Sequence, residues 1–259
     1  MDSELQSAIR IGAGNSVRAL LKQGASVTAV DINRCTPLHW AAEWSDAMIV
    51  KLVLDAGGDV HSQDHLSWTP LHIAARFNSA TTSDLLLNAG AEIDAKAEDG
   101  CTPLHIAGRY NRSAQVLATL IAHGANVEAR EINQWTPLLL AARYQMTATC
   151  VDALIKVGSD TSAKCDEGYG VLHLAAGHNS AVVVKMLLQA GSNVESQDDD
   201  GWTALHWAVR FGKVDNLQVL LDFHASTDAQ DKLGRKPCNI IPVEDVHEDV
   251  RDQIQNMLR

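Results

Sequence analysis

Histidine and cysteine are the residues of this sequence with the most evident chemical potential. The 259-residue chain holds eleven His and five Cys, and both side chains can bind metals or act in catalysis. The cysteines are scattered, with no CxxC pair, so the usual ligand spacings of a zinc site are missing. They are Cys35, Cys101, Cys150, Cys165 and Cys238. An odd number of scattered cysteines is typical of free thiols in a reducing compartment.

No group of residues in the sequence matches a catalytic motif. Nucleophilic catalysis needs a Ser or Cys with a base within hydrogen-bond reach and an oxyanion donor nearby. The chain has no phosphate-binding loop, no GxGxxG after a strand and no HExxH. The run Asp198-Asp199-Asp200 could coordinate calcium, but we interpret it as a solvated acidic turn. We therefore predict a protein that is not an enzyme and that holds no metal and no cofactor.

The overall charge argues against two classes of partner. The formal net charge is −11 at pH 7, whereas binding to nucleic acid or to anionic membranes depends on clustered Lys and Arg. The first eight residues have neither a basic start nor an apolar segment, and no stretch approaches the length of a membrane span. We expect a monomer in the cytoplasm or nucleus that binds neither nucleic acid nor membranes.

The elements that must position these residues repeat along the chain with a period of 33 residues. Three copies of Thr-Pro-Leu-His begin at Thr36, Thr69 and Thr102, and degraded copies begin at Thr136, Gly170 and Thr203. One further period outward at each end reaches Ser3 and Lys236. The pattern predicts a single domain over 1–259, with an N-terminal cap repeat over 1–33, six full repeats over about 34–233 and a C-terminal cap repeat over about 234–259.

Each full repeat is predicted to form two helices. The Thr suits the N-cap of the first helix, and the Pro suits its first turn. A connector suited to a left-handed turn follows, namely Gly12, Asn78, Asn111, Asn179 or Gly212. A glycine closes the second helix of most repeats, as at Gly24 and Gly57, and His224 takes its place in one. A polar segment, usually with a Gly two residues before the next Thr, then indicates a turn.

The 33-residue period, the TPLHxA core and the closing Gly-Ala pairs resemble the ankyrin-repeat family over nearly the whole chain. The resemblance implies an all-α ankyrin-repeat solenoid of helix-turn-helix units with projecting hairpin-like loops. It implies partner binding along the loops and the inner helices. It also implies that five equivalent histidines are structural and link the turns between units. These are His39, His72, His105, His173 and His206.

Large aromatic and arginine side chains recur on the first helix. Counting from the Thr as zero, positions 2, 5 and 6 are the core Leu, Ala and Ala, so positions 4, 7 and 8 are expected to share a different face. Positions 7 and 8 include Trp44, Arg76, Phe77, Arg109, Tyr110, Arg143, Tyr144, His178, Arg210 and Phe211. Position 4 adds Trp40 and Trp207, and the residue before the Thr adds Trp68, Trp135, Tyr169 and Trp202. Together these positions hold eleven of the twelve aromatic residues.

Trp, Tyr and Arg are enriched in the hot spots of protein interfaces. We therefore predict a non-catalytic scaffold for protein–protein interaction, which binds a partner protein or an extended peptide with acidic and apolar anchors through these residues. Two alternatives stay open. The aromatic and arginine side chains could instead be scaffold that packs on neighbouring repeats, or they could capture a small anionic ligand or nucleotide between a ring and a guanidinium.

The middle of the chain is expected to open more readily than the flanking repeats. The stability of a repeat array is approximately a sum of unit and interface terms, and the repeats that begin at Thr136 and Gly170 lack motif residues that their neighbours keep. We expect amide hydrogen exchange, measured by mass spectrometry, to be fastest at the termini and locally raised around residues 136–180. Uniform protection across the six full repeats would contradict this expectation.

Overall fold

The computed structural model describes residues 1–44, 47–77, 79–110, 114–144, 147–242 and 247–259. Within these ranges the chain forms fifteen α-helices, one 3-10 helix and connecting turns. The only β feature there is an isolated antiparallel bridge between Lys164 and Gly170. The prediction of an all-α repeat architecture is confirmed. The residues divide into two compact units, Met1–Ile132 and Asn133–Arg259, and the single domain expected over 1–259 stays a prediction.

The first unit is built of four helix pairs. They are α1 (Asp2–Arg10) with α2 (Gly14–Lys22), α3 (Pro37–Glu43) with α4 (Ala47–Asp55), α5 (Pro70–Arg76) with α6 (Ala80–Asn88), and α7 (Pro103–Tyr110) with α8 (Ala114–Ala122). The first helices contact one another in the order α1, α3, α5, α7, and the second helices contact one another in the order α2, α4, α6, α8. The unit therefore has two helical layers.

The second unit repeats this arrangement. Its elements are α9 (Pro137–Arg143), α10 (Ala148–Lys156), α11 (Val171–His178), α12 (Ala181–Gln189), α13 (Ala204–Arg210), α14 (Val214–Asp222), a 3-10 helix (Pro237–Ile240) and α15 (Glu248–Met257). One layer consists of α9, α11, α13 and the 3-10 helix, and the other of α10, α12, α14 and α15. Residues 243–246 of the predicted C-terminal cap repeat lie outside the described residues.

The core of each unit lies between the two layers, and the repeat motif supplies it. The Leu of each motif is buried at Leu38, Leu71, Leu104, Leu138, Leu172 and Leu205, and burial of each side chain stabilises the fold by about 1.5–3 kcal/mol. The Ala pairs that follow, such as Ala41-Ala42 and Ala175-Ala176, are also buried. Their small side chains allow neighbouring first helices to approach closely.

Motif histidines join their own helix cap to the following repeat, as predicted, at His39, His72, His173 and His206. The backbone N–H of Thr36 donates to Nδ1 of His39 (3.2 Å), and Nε2 of His39 bonds the carbonyl oxygen of Trp68 (2.9 Å). Since Nδ1 accepts, Nε2 carries the proton and donates. His72 bonds the Cys101 carbonyl in the same way (3.0 Å). One neutral ring therefore caps its own helix and holds the next turn.

The two degraded repeats keep part of this arrangement. Gly170 has no hydroxyl, but its N–H still donates to Nδ1 of His173 (3.1 Å), whose Nε2 bonds the Trp202 carbonyl (3.0 Å). In the other repeat Leu139 replaces the histidine and is fully buried. The hydroxyl oxygen of Thr136 there accepts from the Leu139 N–H (3.3 Å), so a simple N-cap takes the place of the ring.

The connectors are only partly as predicted. Gly12 and Gly212 have the expected left-handed φ values of 70° and 64°. The prediction for Asn179 is wrong, because its φ of −106° and ψ of −170° are extended. Its side chain explains the difference, since the amide donates to the carbonyl oxygens of Ala141 and Ala142 (both 3.2 Å). Asn78 and Asn111 lie outside the described residues.

Acid should destabilise the protein because its motif histidines are buried in the neutral form. Burial lowers the pKa of His72 to about 4, and burial also lowers the pKa of His39, His173 and His206 below its ordinary value. An unfolded histidine binds a proton below about pH 6.5. Between the two pKa values only the unfolded state is protonated, so stability is lost as the pH falls. For His72 the slope approaches about 1.4 kcal/mol per pH unit.

We expect the free energy of unfolding, measured by urea denaturation, to fall between pH 7.5 and pH 5. The matched control is His72→Leu, because the chain itself carries a leucine at the equivalent position, Leu139. This variant should be less stable at pH 7.5 but should show a shallower dependence on pH. Equal slopes for the variant and the wild type would contradict the assignment.

Candidate protein-binding surface

The aromatic residues at position 8 lie at the ends of the first helices and are partly exposed. Their exposed fractions fall between 42% and 48%. We call this set the aromatic row, and it consists of Trp44, Phe77 and Tyr110 in the first unit and Tyr144 and Phe211 in the second. Since each ring keeps nearly half of its surface in solvent, the row is available for contact within each unit.

Position 4 does not share this exposed face, and the expectation that it does is wrong. Trp40 and Trp207 are only 7% and 8% exposed. Their indole N–H groups donate to carboxylates nine residues earlier, at Asp31 (3.2 Å) and Asp198 (2.8 Å). Each tryptophan therefore seals its own helix against the preceding hairpin, and we leave both out of the proposed surface.

Aspartates at the base of the hairpins organise the turns that carry the loop aromatics. One carboxylate oxygen of Asp64 accepts from the N–H groups of Leu66 (2.8 Å) and Trp68 (2.9 Å). Asp31, Asp198 and Asp231 accept two N–H groups in the same way. Sequence reasoning missed this role, although an Asp five residues before the motif start was a signal for it.

This finding changes the interpretation of the acidic run at 198–200. Asp198 is buried and holds the turn, whereas Asp199 and Asp200 are exposed as expected. Asp231 plays the same part in the next hairpin. Burial raises the pKa of Asp231, but hydrogen bonds from Arg235 and Leu233 outweigh that effect, and the pKa lies below its ordinary value. Among the described residues, no cluster of three or more His, Cys, Asp or Glu side chains could hold a metal ion.

In the first unit, arginines stack on aromatic rings from two successive repeats. The guanidinium carbon of Arg76 lies 5.6 Å from the ring centroid of Trp68, 5.5 Å from that of Phe77 and 5.1 Å from that of Tyr110. Arg109 lies 5.3 Å from the Tyr110 centroid. Each cation–π contact of this kind contributes about 0.5–1 kcal/mol at an exposed site. The geometry holds five predicted binding residues in one cluster.

In the second unit, the equivalent cluster is mainly aromatic. Ring centroids are 4.5 Å apart for His178 and Phe211, 5.0 Å for Tyr169 and Trp207, and 5.7 Å for Trp207 and Phe211. Gly177 makes this packing possible, because a Cβ there would approach the rings of Phe211 and Trp207 to 2.9 Å. Other repeats carry Arg or Glu at this position.

His178 belongs to the second cluster as a neutral ring. Burial, together with the positive charges of Arg143 and Lys213, lowers its pKa to about 4. At neutral pH it therefore adds aromatic surface and no charge. Of the flanking arginines predicted for this unit, Arg210 is exposed and Arg143 is half-buried.

The aromatic residues that precede the motif start are half-buried. This holds for Trp68, Trp135, Tyr169 and Trp202. Trp202 stacks on His206 with centroids 6.1 Å apart, and its indole donates to the Asp231 carboxylate (3.2 Å). Trp68 stacks on His72 at 6.0 Å. Packing against the motif histidines thus accounts for part of each of these two rings and leaves the remainder at the surface.

A cavity of about 480 Å³ opens between the hairpins and the first helices of the first unit. We call it the hairpin pocket, and it is lined by Leu66, Trp68, Glu98, Asp99, Ile106, Arg109, Tyr110 and Ile132. Sequence reasoning identified only the aromatic and arginine members. Leu66 and Ile132 lie three and four positions before a motif start, and an aliphatic residue at such a place is only a weak signal for a pocket.

A model of the ankyrin-repeat family, which describes three repeat copies, matches residues 3–64, 46–131, 71–164 and 138–232. These matches cover most of the sequence, and the chain belongs to the ankyrin-repeat family. Comparison with proteins of curated function found no match. Ankyrin repeats generally serve as protein–protein interaction modules and are typically non-catalytic. No helix in the described part of the chain combines the length and the apolar character needed to cross a membrane.

Replacing Asp64 by alanine tests the role of the hairpin aspartates. The substitution removes the acceptor of two partly buried N–H groups, so we expect the free energy of unfolding to fall by roughly 1–3 kcal/mol in urea denaturation. The control is Asp55→Ala, which removes the same charge from an exposed position on α4. It should change stability by less than about 0.5 kcal/mol. Similar losses in both variants would show that the turn does not depend on Asp64.

Proposed function

We propose that this protein is a non-catalytic scaffold that binds a partner protein through the aromatic row and the arginines beside it. The observation that carries this proposal is the cluster of Trp68, Arg76, Phe77, Arg109 and Tyr110 in the first unit. Cation–π contacts hold these side chains together, while Phe77 and Tyr110 keep over two fifths of their surface exposed. A surface ordered before binding loses less side-chain entropy when a partner docks.

The spacing of the cluster favours an extended segment of the partner. Contacting helices such as α5 and α7 pack about 8–10 Å apart, whereas an extended chain advances about 3.3 Å per residue. One row position therefore corresponds to about every third residue of the bound segment. Apolar anchors at that interval would contact Phe77 and Tyr110.

Acidic anchors suit the arginines of the same cluster. A guanidinium contacts an aromatic ring through its face and a carboxylate through its edge, so one arginine can make both contacts. We infer that acidic residues of the partner pair with Arg76 and Arg109. In the second unit, Tyr144 and Phe211 with Arg143 and Arg210 would bind by the same chemistry.

A quantitative proteomic pull-down tests the proposal. The bait is the whole chain, compared with a variant that carries alanine at Arg109, Tyr110, Arg143 and Tyr144. Partners that depend on the row should be lost from the variant. The matched control replaces two exposed residues of the other helical layer, Val182 and Lys185, and should retain them. Loss of the same partners from both variants would contradict the proposal that the aromatic row is the binding site.

For a partner found in this way, we expect two single substitutions to weaken binding. Arg109→Lys should raise the Kd because lysine keeps the charge but cannot form the bidentate fork. Tyr110→Ala should raise the Kd further, by roughly tenfold or more, as at hot-spot aromatics. An affinity that is unchanged by both, but lost on changing Trp68, Trp135 or Trp202, would move the site to the loops. A melting temperature raised by nucleotides would instead favour a small anionic ligand.

A further inference from the structure

We propose that the hairpin pocket of the first unit receives one large apolar side chain of the partner, with a lysine or arginine beside it in the partner's sequence. This inference rests on the proposed function and adds an anchor that the aromatic row does not supply. It uses residues of the hairpin tips, mainly Leu66, Glu98 and Ile132, which the interpretation of the sequence did not include.

The walls of the pocket are apolar and accessible. Leu66 and Ile132 are 44% and 63% exposed, so a bound group can reach both side chains. Trp68 and Tyr110 add aromatic surface, and Ile106, which is buried, completes the apolar lining. The volume of about 480 Å³ falls in the range of roughly 300–1,000 Å³ typical of ligand pockets. A leucine, methionine or phenylalanine side chain fits such a space and would remove both aliphatic walls from water.

The backbone holds these walls in place. The Glu98 N–H donates to the Leu66 carbonyl, and the Ile132 N–H donates to the Asp99 carbonyl (both 3.0 Å). Gly100 allows this close approach, because it has a φ of +81° and a Cβ there would lie 3.2 Å from the Ile132 nitrogen. Three successive hairpins are thus joined at their tips. The pocket between them is formed before any partner arrives.

The charged residues around the pocket favour a basic residue next to the apolar anchor in the partner's sequence. Glu98 and Asp99 are exposed on the hairpin side, while Arg109 lines the helix side. A basic residue next to the anchor would therefore meet carboxylates when it points toward the hairpins. The acidic anchors of the proposed function would lie on the opposite side, toward the arginines. The net charge of −11 also favours the approach of a basic segment.

The experiment begins with a library of displayed 12-residue peptides, selected for binding to the whole chain. We expect the enriched peptides to share one large apolar residue with a lysine or arginine one or two positions away. A synthetic peptide of the enriched sequence is then titrated by fluorescence anisotropy. Ile132→Asp should raise its Kd by about tenfold or more, because a carboxylate would replace an apolar wall. The control Ile32→Asp changes a tip residue that is 98% exposed and lies outside the pocket.

A charge exchange tests the basic neighbour separately. Glu98→Lys should lower the affinity for the basic peptide. A second peptide, with glutamate in place of the lysine or arginine, should bind this variant with recovered affinity. Glu92→Lys, an exposed control outside the pocket, should do neither. Both pocket substitutions change exposed side chains, and thermal melts followed by circular dichroism verify that each variant folds.

Each contrary outcome has a distinct meaning. If Phe77→Ala abolishes peptide binding while Ile132→Asp and Glu98→Lys leave it unchanged, the pocket proposal fails and the proposed function stands. If no peptide is enriched over an unrelated control protein, or if bound peptides lose no affinity with any of these variants, both fail. Concentration-dependent association of the chain that Ile132→Asp abolishes, without peptide binding, would identify a second copy as the occupant and overturn the proposal.

Discussion

The neutral imidazole of the motif histidine makes two hydrogen bonds on which the rest of the structure depends. Nδ1 accepts from the backbone at the start of its own helix, and Nε2 donates to a carbonyl at the start of the next repeat. Helix capping and the stacking of repeats are therefore one interaction. Because the ring is buried, water does not compete for either bond. In the repeats that keep the histidine, the first helix begins where it does, and the next repeat stacks where it does, for the same reason.

The proposed binding surface depends on this arrangement through two further sets of contacts. Aspartates such as Asp64 fix the hairpins by accepting backbone N–H groups, and the hairpins bring loop aromatics over the histidines, as with Trp68 over His72. Arginines at the ends of the first helices then stack on those rings, as Arg76 does on Trp68. The exposed cluster thus rests on groups that are ordered by the core, and its side chains are positioned without the partner.

Much of the fold could be predicted from the sequence because it depends on local and periodic signals. A Thr-Pro start, the buried Leu and Ala spacing and glycines at helix ends act within a few residues, and the structure confirms them. Periodicity also separates the helix faces, but it does not say what covers a given face. The prediction that Trp40 shares the exposed face was wrong for that reason, since its indole N–H donates to a carboxylate on the preceding hairpin. Asn179 was misplaced because its amide bonds carbonyls of the preceding repeat.

The hairpin pocket lay beyond sequence reasoning for a related cause. Its walls come from three successive hairpins, and the stacking of the repeats, with backbone bonds between the hairpin tips, brings Leu66 and Ile132 to one cavity. An exposed aliphatic residue in a turn carries little information by itself. It becomes informative once the neighbouring tips are known.

The acceptor of each histidine link is a main-chain carbonyl, so the link itself does not depend on which side chain stands at that position of the repeat. The carbonyls belong to Trp68, Cys101, Trp202 and Arg235. Aromatic, thiol and cationic side chains therefore all occur at the residue that accepts the histidine bond. A substitution at this position can change the side chain that the hairpin carries, while the histidine still bonds the same main-chain carbonyl. Recognition can therefore diverge between repeats while the architecture is maintained, and new specificity can arise by point substitution within an unchanged frame.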